Sequence, residues 1–415
     1  MYKKRLIDDF VLTQLASAGA VLIRGPKGCG KTETARNFAK SEIRIDDSIT
    51  VKNAMESDPS ILLEGATPRL IDEWQEQPAL WNTIRHAVDD RRKKGQFILT
   101  GSANPEETAK LHSGVGRFGV LQMRPMSWFE SGWSTGEVSL KRLLEGETPK
   151  SQMIETDLAD IAKKIVIGGW PGNIGLNEKA AIVNMDNYFD LLTEVDLSRV
   201  SDTRRDPIKV RRLMQSLARN VSTECAISTL AKDAGGADGP LSENTVTDYL
   251  DALQRLMISE DLPTWNTHIR SSARLRKAQK RHFVDPSLAV ASLGLDSKKL
   301  LNDLEYFGTI FESLVIRDLR IYAQTLGAKI YEYRDSNGVE ADAILEMRDG
   351  SWAAFEIKLG FGAASAGIAS LQKVAHTIDQ DRMGAPLALT VITAAGYAFR
   401  DKSGVNVVPL AAFAP

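Results

Sequence analysis

Gly25-Pro26-Lys27-Gly28-Cys29-Gly30-Lys31-Thr32 is the stretch whose reading decides the fold. It has the form G-x-x-x-x-G-K-T, a loop whose glycines let backbone amides close around phosphate oxygens. Ahead of Arg24, the run Ala20-Val21-Leu22-Ile23 suits a buried strand. Behind the loop, Glu33 to Ala39 lacks Gly and Pro and suits a helix, whose start adds partial positive charge. Strand, glycine loop and helix are the setting this motif needs. In that setting residues 25 to 32 bind the phosphates of ATP, Lys31 reaches the β- and γ-phosphates, and Thr32 holds Mg²⁺.

Working outward, Leu70-Ile71-Asp72-Glu73 has the form of an apolar strand ending in two carboxylates. Taken alone, the acidic pair also suits a helix cap. Coupled to the glycine loop, it places Asp72 in the Mg²⁺ shell and Glu73 beside the attacking water as catalytic base. Ala79 to Lys94 carries helical spacing, and Gln96 to Thr100 reads as the next strand. Thr100 and Ser102 follow as sensors of the γ-phosphate. Arg117, flanked by Gly114 and Gly116, reads either as an arginine finger acting in cis or in trans or as a solvated turn. Arg124 is a weaker alternative of the same kind.

The chain has 415 residues, a formal net charge of -2, and 26% charged residues. Such a balance leaves nucleic-acid contact to a local basic patch. Cys29 and Cys225 are the two cysteines, too few for a disulfide framework or a Cys-rich metal site. The N-terminus lacks an apolar signal core, and no apolar run approaches the ~18 residues that span a bilayer. A cytoplasmic protein without membrane contact is expected.

From Pro207 a pattern of three helices appears, about 208–220, 226–232 and 243–256, the last capped by Ser242. A short wing over 258–265 would complete a winged helix-turn-helix. The third helix turns Glu243, Asp248 and Asp251 outward, and carboxylates near phosphates repel. A structural or protein-contact role is therefore favoured over DNA readout. In the basic stretch that follows, Arg270, Arg274, Lys277 and Arg281 share one face if the segment is helical. Phosphate-backbone contact and a solvated linker are both consistent with it.

In the last third, Val339–Glu346 and Trp352–Lys358 read as a hairpin around Arg348-Asp349-Gly350, with Gly350 left-handed. A three-residue loop sets Met347 opposite Ser351, and therefore Asp342 opposite Glu356. It gathers Ala343, Phe355, Leu345 and Ala353 on one apolar face, leaving Asp342, Glu356 and Lys358 on the other. A two-residue turn would mix polar with apolar. The favoured register makes Asp342 and Glu356 a second Mg²⁺ site with a lysine beside it. Glu312 lies at an apolar edge of a helix over about 303–326.

GPKGCGKT, LIDEWQ, GQFILTGSA and RPMSWFESG together resemble a family of bacterial and archaeal AAA-type P-loop ATPases with a largely uncharacterised C-terminal domain. Ile167-Gly168-Gly169-Trp170-Pro171-Gly172 is similar to its helical lid. The D…E-x-K pattern resembles the PD-(D/E)xK nucleases, and Gly308-Thr309-Ile310-Phe311-Glu312 is similar to the helix of that domain. The resemblance implies ATP and Mg²⁺ as cofactors, a ring-type or dimeric homo-oligomer, and a nuclease-like centre of Glu312, Asp342, Glu356 and Lys358. The fold class expected is α/β. It comprises a P-loop NTPase αβα sandwich (1–135), a helical lid (136–205), a winged-helix-like connector (206–268) and a restriction-endonuclease-like domain (269–415). Two functions follow: an ATPase coupled to a nuclease-like domain acting on nucleic acid, or a nucleotide-driven switch whose nuclease-like domain is inactive and binds protein.

Overall fold

The structure is a computed structural model that describes residues 2–46, 48–101, 114–154, 156–197, 205–266 and 279–415. Its N-terminal sheet contains β1 (Ala20–Arg24), β2 (Ser41–Arg44), β3 (Arg69–Asp72), β4 (Phe97–Gly101) and β5 (Phe118–Gln122). The order is β2-β3-β4-β1-β5, and every pairing is parallel. Every residue of β3 and β4 is buried, which explains why these strands read as apolar runs rather than alternations. Because β4 sits between β1 and β3, the carboxyl ends of all three open on one crevice, where parallel sheets bind ligands. The helix after the glycine loop is Lys31–Arg36, shorter than the sequence suggests.

The chain next forms a helical region. The helices Leu158–Ile167 and Glu178–Leu191 appear where the lid is expected. They pack with Ser287–Ser292 and Ser297–Asn302, so residues far downstream complete this helical region. Pro207–Arg219, Ile227–Gly235 and Glu243–Arg255 follow, and the Ser242 hydroxyl caps the last by accepting from the Thr245 amide at 3.1 Å. Two extended arms then run antiparallel, through Ser259 with Phe283 and Leu262 with Lys280. These pairings straddle the boundary expected at 268/269. Residues 134–154 depart from the lid expected over 136–205. β6 (Val138–Ser139) pairs with the last strand of the chain, and Ile154 bridges Gly396.

The C-terminal sheet holds β7 (Lys329–Arg334), β8 (Glu340–Glu346), β9 (Trp352–Lys358), β10 (Leu389–Thr393), β11 (Phe399–Arg400) and β12 (Asn406–Pro409). β13 (Phe413–Ala414) pairs with β6. The order is β11-β12-β10-β9-β8-β7, with the β7-β8-β9 meander antiparallel and β10 parallel to β9. The hairpin register is the one the apolar pattern selects: Ala343 opposite Phe355 and Leu345 opposite Ala353. Gly350 has φ 86°, the left-handed turn residue expected.

One expectation about this sheet is corrected. Helix Leu304–Thr325 covers the face carrying Ala343, Leu345 and Phe355. Helix Ala364–Thr377 covers the opposite face, where Ile344, Trp352 and Ala354 meet Leu371 and Val374. Both faces are therefore apolar in the middle, and the charged residues cluster only at the ends of β8 and β9.

Candidate functional site

The glycine loop takes a conformation that its residue types permit. Gly28 and Gly30 have φ 76° and 102°, left-handed values that are cheap only for glycine. At Gly25 a Cβ would lie 2.2 Å from the Met123 carbonyl, so the loop and the segment after β5 touch backbone to backbone. Lys31 is buried, and its ammonium donates to the carbonyls of Gly25 and Pro26, both at 2.9 Å. The lysine thus bends over its own loop, a pose that phosphate oxygens would compete for.

Asp72 closes the other side. Its Oδ1 accepts from the Thr32 hydroxyl at 2.9 Å and from the Thr100 hydroxyl at 2.5 Å. Register explains the convergence: Thr100 pairs with Asp72 on one side and with Ile23 on the other, at the same end of the sheet. One carboxylate and two hydroxyls are oxygen donors of the kind a hard divalent cation takes, so the set fits Mg²⁺. Glu73 leaves the strand in a left-handed conformation, φ 54°, and accepts from the Gln75 amide. Non-glycine residues held there collect at functional sites. Arg44, which sequence reasoning passed over, brings a guanidinium to 3.9 Å from Asp72.

A second layer fixes the loop. Arg5, buried, donates to the carbonyls of Cys29 and Arg124 at 2.8 Å and to Glu130 at 2.9 Å. Glu130 also accepts from the amides of Leu6 and Ser127 and closes a capping box with Ser127. Burial opposes its charge, but Arg5 and those amides hold the carboxyl below its ordinary range. The RPMSWFESG segment thus braces the glycine loop. From the lid, the Tyr188 hydroxyl donates to the Lys27 carbonyl at 3.2 Å, and Asp196 pairs with the Lys27 ammonium at 2.6 Å. The Trp170 ring faces Gly28 and lies 4.8 Å from the Tyr188 ring.

Other expected residues lie elsewhere. Arg117 precedes β5 at the amino end of the sheet, where its carbonyl accepts from the amides of Gly19 and Ala20. A strand of that length separates it from the loop by roughly 16 Å, and its guanidinium is paired with Asp89 at 2.9 Å. That geometry does not support the reading of Arg117 as a finger reaching this chain's own glycine loop. Arg124 forms a two-pronged pair with Glu260 and a 3.1 Å hydrogen bond to Gln324. It joins regions rather than facing phosphate. Ser102, Arg270, Arg274 and Lys277 lie outside the described residues. Arg281 lies on an extended arm, not a helix, and pairs with Asp261.

At the C-terminal sheet, Glu312, Asp342, Glu356 and Lys358 do come together, with a partner that the sequence concealed. The Lys280 ammonium stands 3.0 Å from Glu312 and 3.6 Å from Asp342. Lys358 pairs with Glu356 at 2.7 Å, and the second Asp342 oxygen accepts from the Ile357 amide at 2.8 Å. Burial, then the charge of Asp342, pushes Glu312 up to about 8 and Glu356 up to about 7. Burial works against the Lys280 charge, but Glu312 and Asp342 outweigh it and hold its pKa above the usual lysine value. Among the described residues, no group of three or more His, Cys, Asp or Glu is arranged to hold a metal ion. Lys280 and Lys358 stand against Asp342 and Glu356, the two carboxyl groups expected to hold a second Mg²⁺.

A buried polar chain connects the two regions. Trp170 donates to the Ser287 hydroxyl and the Gly169 amide donates to Asp285, both at 2.9 Å. Asp285 in turn accepts from Arg317 at 2.6 Å, and Arg317 pairs with Asp318, which accepts from the Trp128 amide. Arg317 lies on the helix that carries Glu312. The Gly-Trp-Pro-Gly break at 169–172 thus faces the glycine loop on one side and that helix on the other.

Residues 17–131 match an AAA domain family. Residues 158–299 and 307–413 match two domains of unknown function, DUF8612 and DUF4143. The chain is similar to the uncharacterized proteins Rv2008c of Mycobacterium tuberculosis and Mb2031c of Mycobacterium bovis. Each is 26% identical over 348 residues, covering 83% of this chain and 71% of the relative. Among solved structures it is similar to the Walker-type ATPase paby2304 of Pyrococcus abyssi, with TM-score 0.41 and 14% identity over 69% of this chain and 94% of that one. A RuvB variant of Thermotoga maritima gives TM-score 0.30 and 18% identity, covering 62% and 89%. No described helix is long and apolar enough to cross a membrane. The AAA match and the parallel sheet around the glycine loop agree on the N-terminal third, an AAA-type P-loop ATPase-like domain.

Proposed function

We propose that this chain binds and hydrolyses Mg·ATP at residues 25–32, and that the nucleotide state is passed through the lid to the C-terminal α/β unit. The convergence of Thr32 and Thr100 on Asp72, beside Lys31 and beneath Trp170 and Tyr188, carries this reading. Bound there, Mg·ATP supplies the γ-phosphoryl group that is transferred to water. Lys31 would turn from its loop carbonyls to phosphate oxygens, Thr32 and Asp72 would hold the cation, and Glu73 would orient the water and take up its proton. Thr100 keeps Asp72 aimed. An arginine finger, if the reaction uses one, comes from a second copy of the chain, because Arg117 faces away and Arg124 is committed to Glu260.

The C-terminal unit is read as a PD-(D/E)xK nuclease-like fold, supported by its helix–three strands–helix–strand order and the gathered Glu312, Asp342, Glu356 and Lys358. The helices of 207–255 with their antiparallel arms are read as winged-helix-like. Of the two functions, the switch is favoured by a specific observation: Lys280 already neutralises the carboxylates a nuclease would give to metal. In this reading the C-terminal unit contacts a protein partner and does not cut nucleic acid. ATP turnover by wild type and Glu73→Gln, with and without DNA or RNA, tests it. Turnover that needs Glu73 and ignores nucleic acid is expected. A Mg²⁺-dependent cut that disappears in Asp342→Ala would restore the nuclease.

A further inference from the structure

The C-terminal centre holds three carboxylates, those of Glu312, Asp342 and Glu356, largely removed from water. Ionised and bare, such a cluster would repel itself, and a divalent cation is the usual remedy. Here a side chain stands in that place. Lys280 is clamped by its backbone, bridging Glu224 on one side and Leu262 on the other, with the Leu262 amide donating to its carbonyl at 2.9 Å. From that fixed base its ammonium reaches both Glu312 and Asp342. One oxygen, Oε2 of Glu356, is buried without any hydrogen-bond partner. That orphan acceptor, on a residue only 5% exposed, is an unsatisfied buried oxygen in the centre, open to a further donor or cation.

We propose that Lys280 is the resident cation of this centre. Its ammonium holds Glu312 and Asp342 where a small divalent ion would sit, so the native C-terminal unit is metal-free. Removing the Lys280 charge converts the cluster into a divalent-cation site built from Glu312, Asp342 and Glu356. An ammonium and a divalent ion cannot share the space, because like charges a few ångströms apart repel strongly in a partly buried setting. The inference rests on the reading of the C-terminal unit as a nuclease-like fold that does not cut, and it survives if ATP hydrolysis fails, since it concerns a different cation site.

The test uses the full chain, without nucleotide, in an Asp72→Asn background that removes the cation site at the glycine loop. Mn²⁺ is titrated and free Mn²⁺ is read by electron paramagnetic resonance. Lys280→Met should bind one Mn²⁺ at least about tenfold more tightly than the parent, and adding Glu356→Gln should abolish the gain. Lys280→Arg, which keeps the charge, should behave like the parent. Folded Lys280→Met with no gain in Mn²⁺ binding would overturn the proposal. So would Mn²⁺ binding by the parent that disappears in Glu356→Gln, a result that needs no change at Lys280 and decides the matter if Lys280→Met fails to fold.

Discussion

Thr32, at the start of the helix after β1, donates to Asp72 at the end of β3 across 2.9 Å, although β4 runs between β1 and β3. The loop that follows β1 must reach over the end of β4 to make the contact, and Thr100 on β4 joins it from below. Thr32→Ala should therefore lower ATP turnover on the order of a hundredfold, because it removes a cation ligand as well as the tie to Asp72. The fold should be retained. Steady-state phosphate release, with circular dichroism as the control, checks this.

The Arg5–Glu130 pair should be a stability element rather than a catalytic one. Both side chains are almost fully buried, and Glu130→Gln leaves a buried guanidinium without its counter-charge. Breaking such pairs costs about 3 kcal/mol. Urea unfolding should show a loss of that order, and nucleotide affinity should fall as the Cys29 carbonyl loses its fixed donor.

Stability should fall with rising pH through the C-terminal centre. Burial, and after it the charge of Asp342, raises Glu312 to about 8 and Glu356 to about 7 in the folded chain, against an ordinary 4.5. Raised folded-state values favour the folded state fully below about pH 4.5, and the contribution is lost as pH climbs toward 8. Glu312→Gln, which cannot titrate, should flatten that decline. Urea midpoints of both proteins at pH 5.5 and pH 8 measure it. An equal drop in both would remove Glu312 from the account.

Trp170 should report the nucleotide. Its ring faces Gly28 and its indole is tied to Ser287. Added Mg·ATP should change the tryptophan emission, and Trp170→Phe should lose most of that change while other tryptophans remain. A full signal in the variant would detach the lid from the loop.

Much of this was legible in the chain because it obeys short periods. The glycine loop, the buried runs of β1, β3 and β4, and the β8–β9 register all follow from patterns within a few residues. What stayed hidden was set by long-range pairing. Glycines around Arg117 mark a turn but not which edge of the sheet it serves, and the pairing of β5 with β1 places it at the amino edge. Lys280 sat in a basic stretch with nothing to separate it from Arg281, until the extended arms turned one toward Glu312 and the other toward Asp261. Residues 136–154 looked like lid because helix formers dominate them. A two-residue strand, β6, ties them instead to β13, a pairing too short to leave a periodic signal.

The measurement that bears most directly on the central claim is ATP binding and turnover by wild type, Lys31→Ala and Glu73→Gln under identical Mg²⁺. The account predicts turnover by wild type alone, ATP affinity in Glu73→Gln within a few fold of wild type, and affinity in Lys31→Ala lower by on the order of a hundredfold. Tight ATP binding retained in Lys31→Ala, or undiminished turnover in Glu73→Gln, would contradict it.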